Sequence, residues 1–277
     1  MSLKGKLEFV CQTDVGQVRD HNEDYISYDA DLGIGVLADG MGGLNAGEVA
    51  SSMSVHLLME DLTSLKNGTS TAEAELESDA LGVPLSCRII RHLVEKTNSA
   101  VFHVSQTQPQ CRGMGTTIVV TMYEDNNLIV GHIGDSRVYR YRNNGLEQLT
   151  RDHSYVQELI DKGLFTKEQA RASDKKNVVT RALGVGPSVE VEVHEYPVKV
   201  GDMYLMCSDG LTDLVTDADI ETTFRESKGN MNEIAGHLVN LANASGGKDN
   251  ISVILTKVIK PFSSEGSFFE KIVNWFE

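Results

Sequence analysis

The sequence has no long apolar run, and this absence limits the kinds of protein that it can encode. A membrane-spanning helix needs roughly 20 consecutive apolar residues, and no stretch of the 277 residues has that character. The first nine residues are too polar for the apolar region of a secretory signal. We therefore predict a cytoplasmic protein without a membrane span.

Paired cysteines are also missing. The four cysteines are Cys11, Cys87, Cys111 and Cys207, and no two of them have the spacing of a Cys-x-x-Cys motif. None has histidine neighbours in a zinc-binding pattern. We expect free, mostly buried thiols of the kind found in a reducing compartment.

Positive charge is scarce. The chain has 25 Lys and Arg residues against 40 Asp and Glu residues, so its formal net charge is -15. Nucleic acid needs cationic side chains to replace its counterions, and an anionic membrane surface attracts the same side chains. We predict neither partner. An acidic protein that handles phosphate must supply local positive charge, and bound metal is one way to do so.

Two common catalytic or nucleotide-binding patterns are absent as well. The glycine-rich segment 39–43 lacks the Gly-Lys-Ser/Thr ending of a phosphate-binding loop and the spacing of a dinucleotide fingerprint. Cys207 and Ser208 precede an aspartate, but no Gly-x-Ser-x-Gly motif or histidine partner accompanies them. We predict neither nucleotide binding nor a covalent hydrolase nucleophile.

Apolar periodicity predicts a mixture of strands and helices. Runs that are apolar or rich in β-branched residues predict strands at 32–38, 116–123, 127–133, 136–142, 202–207 and 250–259, with another extended stretch at 189–200. Helical spacing of apolar residues predicts helices within 46–57, 87–106 and 234–242. Strands group with strands, which indicates a layered α+β domain. We expect one catalytic domain over 1–260, followed by a linker and a short apolar tail over 261–277.

Aspartates adjoin several of the predicted strands. Asp39, Asp135, Asp209 and Asp249 each lie next to an apolar run, and Asp24 lies near the N-terminus. A single Asp-Gly is more often only a turn. Clustered carboxylates repel one another, whereas Mg²⁺ and Mn²⁺ prefer oxygen ligands. We therefore predict that these aspartates form a metal site.

Eight short segments together carry a resemblance to a known family. They are Thr13-Asp14-Val15-Gly16 with Arg19 and Asn22-Glu23-Asp24, Ala38-Asp39-Gly40-Met41-Gly42-Gly43, Gly113-Met114-Gly115-Thr116-Thr117, Gly134-Asp135-Ser136-Arg137, Thr150-Arg151-Asp152-His153-Ser154, Thr180-Arg181-Ala182-Leu183-Gly184, Cys207-Ser208-Asp209-Gly210-Leu211 and Lys248-Asp249-Asn250-Ile251-Ser252. In this order they resemble the motifs of the metal-dependent protein phosphatases, also called protein phosphatase 2C, in the bacterial single-domain form. The match covers about residues 9–258.

The resemblance implies a fold and an activity. The implied fold is a central sandwich of two antiparallel β-sheets flanked by helix pairs, in α-β-β-α layers. The implied activity is that of a serine/threonine phosphoprotein phosphatase. It would use two Mn²⁺ or Mg²⁺ ions in the core site, and a third ion is implied in addition. Two close metals can deprotonate a bridging water and stabilise in-line displacement at phosphorus, so no covalent intermediate is needed.

The resemblance also assigns roles to the residues that would bind metal. Asp39 is implied to bridge the two ions, Asp209 and Asp249 to complete the shell of one, and the Gly40 carbonyl to bind the other. Asp135 is implied to form a third site together with Asp209. For Asp135, a plain hairpin-turn residue beside an arginine is the alternative.

The remaining implied site residues surround the metals. Glu23 and Asp24 are implied to hold metal-bound waters, and Asn250 to support the ligands. Arg19 is implied to clamp the substrate phosphate, because a guanidinium pairs bidentately with phosphate oxygens. A surface ion pair is the alternative for Arg19. With Asp39 and Asp209, Arg19 completes the predicted catalytic set.

Two departures from the family pattern leave the general acid unassigned. Family members carry histidines at positions that are Met41 and Leu44 here. His21 and His153 could donate a proton, but we assign catalysis to neither. Residues 152–177 match the flap beside the active site, which is either a solvated helical hairpin or a lid that helps to select substrates.

The predicted partners are phosphoserine and phosphothreonine proteins, and the predicted task is to oppose a serine/threonine kinase. We expect a monomer. Two alternatives stay open: a phosphatase dedicated to one regulator of the anti-sigma-factor type, and a non-catalytic member that binds phosphoproteins without cleaving them. The apolar tail could fold back on the domain, contact a partner or lie on a membrane surface.

Overall fold

The structure, a computed structural model, describes residues 2–42, 46–70 and 82–263. Leu44 and the apolar tail predicted after residue 263 lie outside these ranges. Within them, no helix combines the length and the apolar character needed to cross a membrane.

The described residues form two antiparallel sheets. The strands are β1 (Leu7–Asp14), β2 (Asp24–Asp29), β3 (Ile34–Met41), β4 (Gly115–Thr116), β5 (Ile118–Glu124), β6 (Asn127–Ile133), β7 (Arg137–Arg142), β8 (Gly145–Gln148), β9 (Glu192–Pro197), β10 (Met203–Cys207) and β11 (Ile251–Val258). One sheet has the order β1-β11-β10-β7-β8, and the other has the order β2-β3-β5-β6-β9 with β4 paired to β3.

Helices cover the outer face of each sheet. They are α1 (Ala46–Lys66), α2 (Leu85–Thr107), α3 (Tyr155–Asp161), α4 (Lys167–Arg171), α5 (Asp209–Thr212), α6 (Asp217–Glu226) and α7 (Met231–Ala244), with a short 3₁₀ helix at Pro109–Cys111. The pair α1 and α2 packs on the β2–β9 sheet, and α6 and α7 pack on the other sheet. A third apolar layer fills the space between the sheets. The predicted α-β-β-α sandwich is confirmed.

The central strand β10 shows why its sequence is apolar throughout. Leu205 and Cys207 face the helices, while Tyr204 and Met206 face the other sheet. Because successive side chains point to opposite faces of a strand, covering both faces leaves no position for a polar residue. All five residues of β10 are buried.

One end of the sandwich gathers the predicted carboxylates. Asp24 opens β2 and is paired with Asp39 of β3. Asp135 occupies the turn between β6 and β7, and Asp249 precedes β11. Two details differ from the prediction of turns after strands. Asp39 lies inside β3, which continues to pair with β4, and Asp209 begins α5.

The packed core extends into the predicted linker. Phe262 is buried between the sheets, and its ring meets the ring of Tyr123 edge-on at a centroid distance of 6.2 Å. The cysteines are free, and only Cys11 is exposed.

Candidate metal centre

A cleft of about 250 Å³ opens at the carboxylate end of the sandwich. We call it the carboxylate cleft. It is lined by Arg19, Glu23, Asp39, Gly40, Met41, Gly42, Thr117, Asp135, Asn177, Val179, Asp209 and Asp249. Seven of the nine predicted site residues are in this set. The two others, Asp24 and Asn250, lie behind the lining and hold it in place.

Backbone hydrogen bonds fix Asp39 at the base of the cleft. Its carbonyl oxygen accepts from the Thr117 amide at 2.8 Å and from the Thr116 hydroxyl at 2.8 Å. Its own amide donates to the Thr117 hydroxyl at 3.1 Å. The main chain is satisfied by these bonds, and the carboxylate is left facing the other acids.

The acids raise one another's pKa. Burial, followed by the charges of Asp24 and Asp209, raises the pKa of Asp39 well above its ordinary value. Burial and the charges of Asp135 and Asp213 do the same to the pKa of Asp209. Such carboxylates need either protons or nearby cations. Hard oxygen donors that outnumber the cationic side chains around them fit Mg²⁺ or Mn²⁺.

Asp24 lies beneath Asp39 and is fully buried. The Ser208 hydroxyl donates to its Oδ2 at 2.8 Å. Its Oδ1 is buried and has no hydrogen-bond partner in the described part of the chain. Burial raises the pKa of Asp24 to about 6. This buried, unpartnered carboxylate oxygen beneath the cleft fits an acceptor for a water bound to a cation.

Asn250 braces the loop that carries Arg19 and Glu23. Its Oδ1 accepts from the Glu23 amide at 2.8 Å, and its Nδ2 donates to the carbonyls of Val15 and His21 at 3.0 and 2.9 Å. This buried amide therefore holds the loop against β11. Its contacts are with the backbone of the loop, so they act on the position of the neighbouring side chains.

Arg19 is the cationic side chain of the cleft lining. Its guanidinium donates to Asp249 Oδ2 at 2.7 Å, and about half of the side chain is exposed. The predicted alternative for Arg19, an ion pair, is thus present, but its partner is a predicted ligand and not one of the neighbouring acids. The free edge of the guanidinium remains open to solvent at the cleft.

Gly40 is required by the close approach of α1 to β3. A side chain at Gly40 would overlap the carbonyl of Gly47, the second residue of α1, and would come within 2.7 Å of the Glu23 carbonyl. The Gly40 amide donates to the Glu23 carbonyl at 3.1 Å. Only glycine allows the three backbone segments to meet here.

Asp135 and Asp209 share a neighbour that sequence analysis missed. Asp213 follows Asp209 by four residues, one helical turn, and its charge contributes to the raised pKa of both. Burial, followed by the charge of Asp152, raises the pKa of Asp135 to about 7. The four-residue spacing after Asp209 was the available signal for Asp213.

Other supporting residues were also missed, although a signal existed for them. Thr116 and Thr117 belong to one of the motif segments, yet no role followed from the motif alone. Ser208 was considered only as a nucleophile, whereas its hydroxyl is a donor to Asp24. Local sequence could not indicate these bonds, because each joins residues more than 75 positions apart.

The candidate proton donors are placed apart from the cleft lining. Met41 lies in the lining and has no titratable group. His21 is exposed, and His153 is buried behind the Gly134 turn. No histidine is part of the lining in the described ranges. The general acid therefore stays unassigned.

The predicted flap contains α3 and α4 and covers a second cavity of about 160 Å³ beside Asp135 and Asp209. A capping box formed by Thr166 and Gln169 begins α4. Lys176 pairs with Asp213 at 2.6 Å. The flap thus brings a positive charge to the acids at the edge of the carboxylate cleft.

Comparisons with known proteins agree with this geometry. A family model described as protein phosphatase 2C matches residues 13–242. The serine/threonine phosphatase stp of Listeria welshimeri is 37% identical over 249 residues, which cover 89% of this chain and 94% of that protein. The serine/threonine protein phosphatase PstP of Mycobacterium tuberculosis is 36% identical over 253 residues, which cover 91% of this chain and 45% of that protein.

Solved structures give the same result. The catalytic domain of PstP in complex with two manganese ions matches 92% of this chain and 99% of its own, with a TM-score of 0.75 and 35% identity. Stp1 from Staphylococcus aureus matches 94% of this chain and 98% of its own, with a TM-score of 0.78 and 31% identity. Since the sequence match and the structural match both cover most of the chain, it belongs to the protein phosphatase 2C family and is a metal-dependent serine/threonine protein phosphatase.

Proposed function

We propose that the carboxylate cleft holds two divalent cations, Mn²⁺ or Mg²⁺, and that Asp39 would be the ligand common to both. Asp209 and Asp249 would hold one ion, and the Gly40 carbonyl would hold the other. The observation that carries this proposal is the convergence of seven predicted site residues, from segments far apart in sequence, on one cleft.

The donor set of the cleft supports cations over protons. The raised pKa values of Asp39 and Asp209 come from burial and mutual repulsion, which a divalent ion relieves. The unpartnered Asp24 Oδ1 adds an acceptor beneath Asp39. Glu23 and Asp24 bind the hydration waters of the ions, and Asn250 keeps the Glu23 backbone in place.

The chain's own residues bind and orient the phosphate. When bound, the two ions supply Lewis acidity that activates water and offsets the charge of the phosphoryl group. Arg19 binds two phosphate oxygens through its guanidinium, whose planar fork matches that geometry. Its bond to Asp249 keeps it at the cleft while half of the side chain faces solvent.

The residues beside Asp209 support direct attack by water. The Ser208 hydroxyl is buried and donates to Asp24. Cys207 packs on the helix side of its sheet, and burial raises the pKa of its thiol to about 12. Neither side chain lines the cleft, so neither is placed to act as a covalent nucleophile.

We also propose a third, weaker cation site at Asp135 and Asp209. Burial raises the pKa values of Asp135 and Asp209, and the charge of Asp213 raises both further. Lys176 already supplies one positive charge at Asp213. A third ion therefore adds less electrostatic relief here than the first two ions do in the main cleft, which makes its affinity lower.

In the cell, we propose that the enzyme reverses the action of a serine/threonine kinase and that its flap helps to select the phosphoproteins. Curated relatives named as serine/threonine phosphatases support this task. A single dedicated substrate of the anti-sigma-factor type is the alternative. The cytoplasmic location and the monomeric state stay predictions. A phosphoproteome measured with and without the protein tests the substrate range, and one lost target would favour the alternative.

The metal assignment is tested by phosphate release from a phosphothreonine peptide. We expect activity with Mn²⁺, loss of activity in EDTA, and a loss of roughly 10²-fold or more in Asp209→Asn. Asp61→Asn is the matched control, because Asp61 lies on α1, pairs with Lys96 and is not part of the cleft lining. Full activity of Asp209→Asn, or activity that ignores EDTA, would contradict the assignment.

A further inference from the structure

His153 is buried where the end of β6 meets the start of the flap. Its amide donates to the Gly134 carbonyl at 2.9 Å, and the Gly134 amide donates back to His153 Nδ1 at 3.1 Å. Gly134 has a φ of +104°, and a side chain there would collide with Thr117. The two reciprocal bonds hold this glycine turn, and the next residue is Asp135.

The backbone of His153 also closes the neck of the flap. The Thr180 amide donates to the His153 carbonyl at 2.8 Å. One residue on, Ser154 is bridged to Val179. Val179 lines the carboxylate cleft. One buried residue thus joins the neck of the flap to the turn that carries Asp135.

The ring of His153 belongs to a buried group that we call the histidine cluster, formed by His132, His153 and Glu192. One potential ligand atom from each lies within 4.8 Å of the other two. The two rings stack at a centroid distance of 4.7 Å. Two histidines and a glutamate are common metal ligands. Whether the cluster can bind a metal depends on which ring nitrogens carry protons.

Hydrogen bonding sets the tautomer of His153. Nδ1 accepts the Gly134 amide, so in the neutral ring Nε2 carries the proton. That proton is donated to Glu192 Oε2, 3.1 Å away. The Arg181 guanidinium, 3.4 Å from Nε2, cannot donate to the same nitrogen, and its charge favours a neutral ring. A metal at Nε2 would have to displace this proton, so the hydrogen bonds of His153 disfavour a metal in the cluster.

We propose that His153 is a positioning residue for the Asp135 turn and that its Nδ1, held in the acceptor tautomer by Glu192, is the atom that acts. When the Nδ1 bond is present, the Gly134 turn has one conformation and Asp135 keeps its place beside Asp209. The proposal rests on the proposed role of Asp135 as a ligand of the third cation.

Two amide variants of His153 separate the effect of the Gly134 bond at Nδ1 from that of the Glu192 bond at Nε2. In His153→Asn, the amide oxygen reaches the position of Nδ1 and still accepts from Gly134, but the bond to Glu192 is lost. In His153→Gln, the longer amide reaches towards Glu192, but the acceptor for Gly134 is lost. Both variants lose the stack with His132, so that loss is matched between them.

The measurement is Mn²⁺ binding by titration calorimetry on the full chain, with Asp135→Asn as the reference that identifies the weak site. We expect His153→Gln to weaken that site about tenfold, the size of effect seen when an outer-shell partner of a ligand is removed. We expect His153→Asn to stay within about threefold of the wild type. A purely structural role would lower the melting temperature of both variants without separating their Mn²⁺ affinities.

The outcomes distinguish the ligand role of Asp135 from the positioning role of His153. If Asp135→Asn weakens the third ion and His153→Gln does not, the positioning role is wrong and the ligand role stands. If Asp135→Asn binds Mn²⁺ as the wild type does, the ligand role fails and the positioning role fails with it. Should His153→Gln not fold, long-range ¹H–¹⁵N spectra of the wild type still decide. An unprotonated Nδ1 supports the proposal, and a protonated Nδ1 overturns it.

Discussion

The carboxylate cleft and the histidine cluster lie on either side of the Gly134 turn, and they accommodate buried polar groups in opposite ways. In the cleft, like charges converge and raise the pKa values of Asp39 and Asp209. In the cluster, burial lowers the pKa values of His132 and His153, which favours the neutral form of both rings. Burial alone would raise the pKa of Glu192. Hydrogen bonds from His194 and His153 outweigh burial and hold this pKa below its ordinary value.

The difference shows which buried polar group is built to receive a ligand. The histidine cluster places a neutral donor against a carboxylate and satisfies most of its hydrogen bonds internally. The carboxylate cleft has acceptors in excess of donors, so it requires cations from outside the chain. A list of potential ligand residues alone would have favoured the histidine cluster.

The largest expected effect comes from removing Asp39, the proposed bridging ligand of the cleft. Asp39→Asn keeps the size of the side chain and its backbone bonds to Thr117, but it removes the central charge. We expect phosphatase activity to fall on the order of 10²–10³-fold, as when a preorganised electrostatic group is removed. Mn²⁺ titration should show weaker binding of both main ions. Unchanged Mn²⁺ affinity would contradict the conclusion that the carboxylate cleft, unlike the histidine cluster, requires cations.

Arg19 tests whether the one cationic side chain of the cleft lining serves the phosphate or the acids. Arg19→Lys retains the charge but loses the planar fork. We expect kcat/KM for a phosphopeptide to fall roughly 10-fold or more, since one charge-assisted bidentate contact is lost. Mn²⁺ affinity should stay within about twofold in the same titration. A loss of Mn²⁺ binding equal to the loss of activity would mean that Arg19 acts through Asp249.

The metal-free cleft should lose stability as the pH rises. Burial raises the pKa of Asp24 to about 6, while an unfolded aspartate titrates near about 3.9. The folded state keeps a proton that the unfolded chain releases, so this stability is present below about pH 4 and is lost as the pH rises through about 6. We expect a loss on the order of 2 kcal/mol in the free energy of unfolding between pH 4 and 7 in EDTA.

Urea unfolding of the wild type and of Asp24→Asn checks this prediction, because the variant lacks the titrating group. The stability of the wild type relative to the variant should fall as the pH rises from 4 to 7. Added Mn²⁺ should stabilise the wild type more at pH 7.5 than at pH 5.5, since ligands must be deprotonated to bind. A pH-independent difference would show that Asp24 is ionised even without metal.

The histidine cluster should show the opposite pH dependence and the smallest effect. The lowered pKa of His132 means that its stability is present above the unfolded value of about 6.5 and is lost as the pH falls. His132→Phe keeps the stacked ring but cannot titrate. In EDTA, we expect the wild type to lose about 1 kcal/mol relative to this variant between pH 7 and pH 5.5. Parallel urea-unfolding curves over that range would contradict the neutral-ring assignment.

Strong local patterns predicted much of the fold. The strand expected at 127–133 is observed at those residues as β6, and the three apolar stripes all lie on helices. β1 and β2 were not predicted, because their half-exposed residues weaken the alternation of apolar and polar positions. α6 was also missed, although Thr216 and Asp219 form a capping box at its start.

The sequence predicted which residues form the site, but it did not predict the contacts between them. All nine residues were named from the sequence, but Asp213 and the supporting role of Ser208 became evident only in the folded chain. The charge of Asp213 raises the pKa of Asp209. The hydroxyl of Ser208 donates a hydrogen bond to Asp24, which is 184 positions away in the sequence. No periodicity reports an interaction of that separation.

The sequence by itself determined the layered α+β class, the order of the motifs and the acids that follow or precede apolar runs. These features depend on local hydrophobic pattern and residue type. Only the tertiary structure decided that Asp39, Asp209 and Asp249 converge, that the pKa values of Asp39 and Asp209 rise, and that His153 is held as an acceptor towards Gly134. Charge interaction, burial and tautomer depend on distances through space, and those distances exist only once remote strands have packed together.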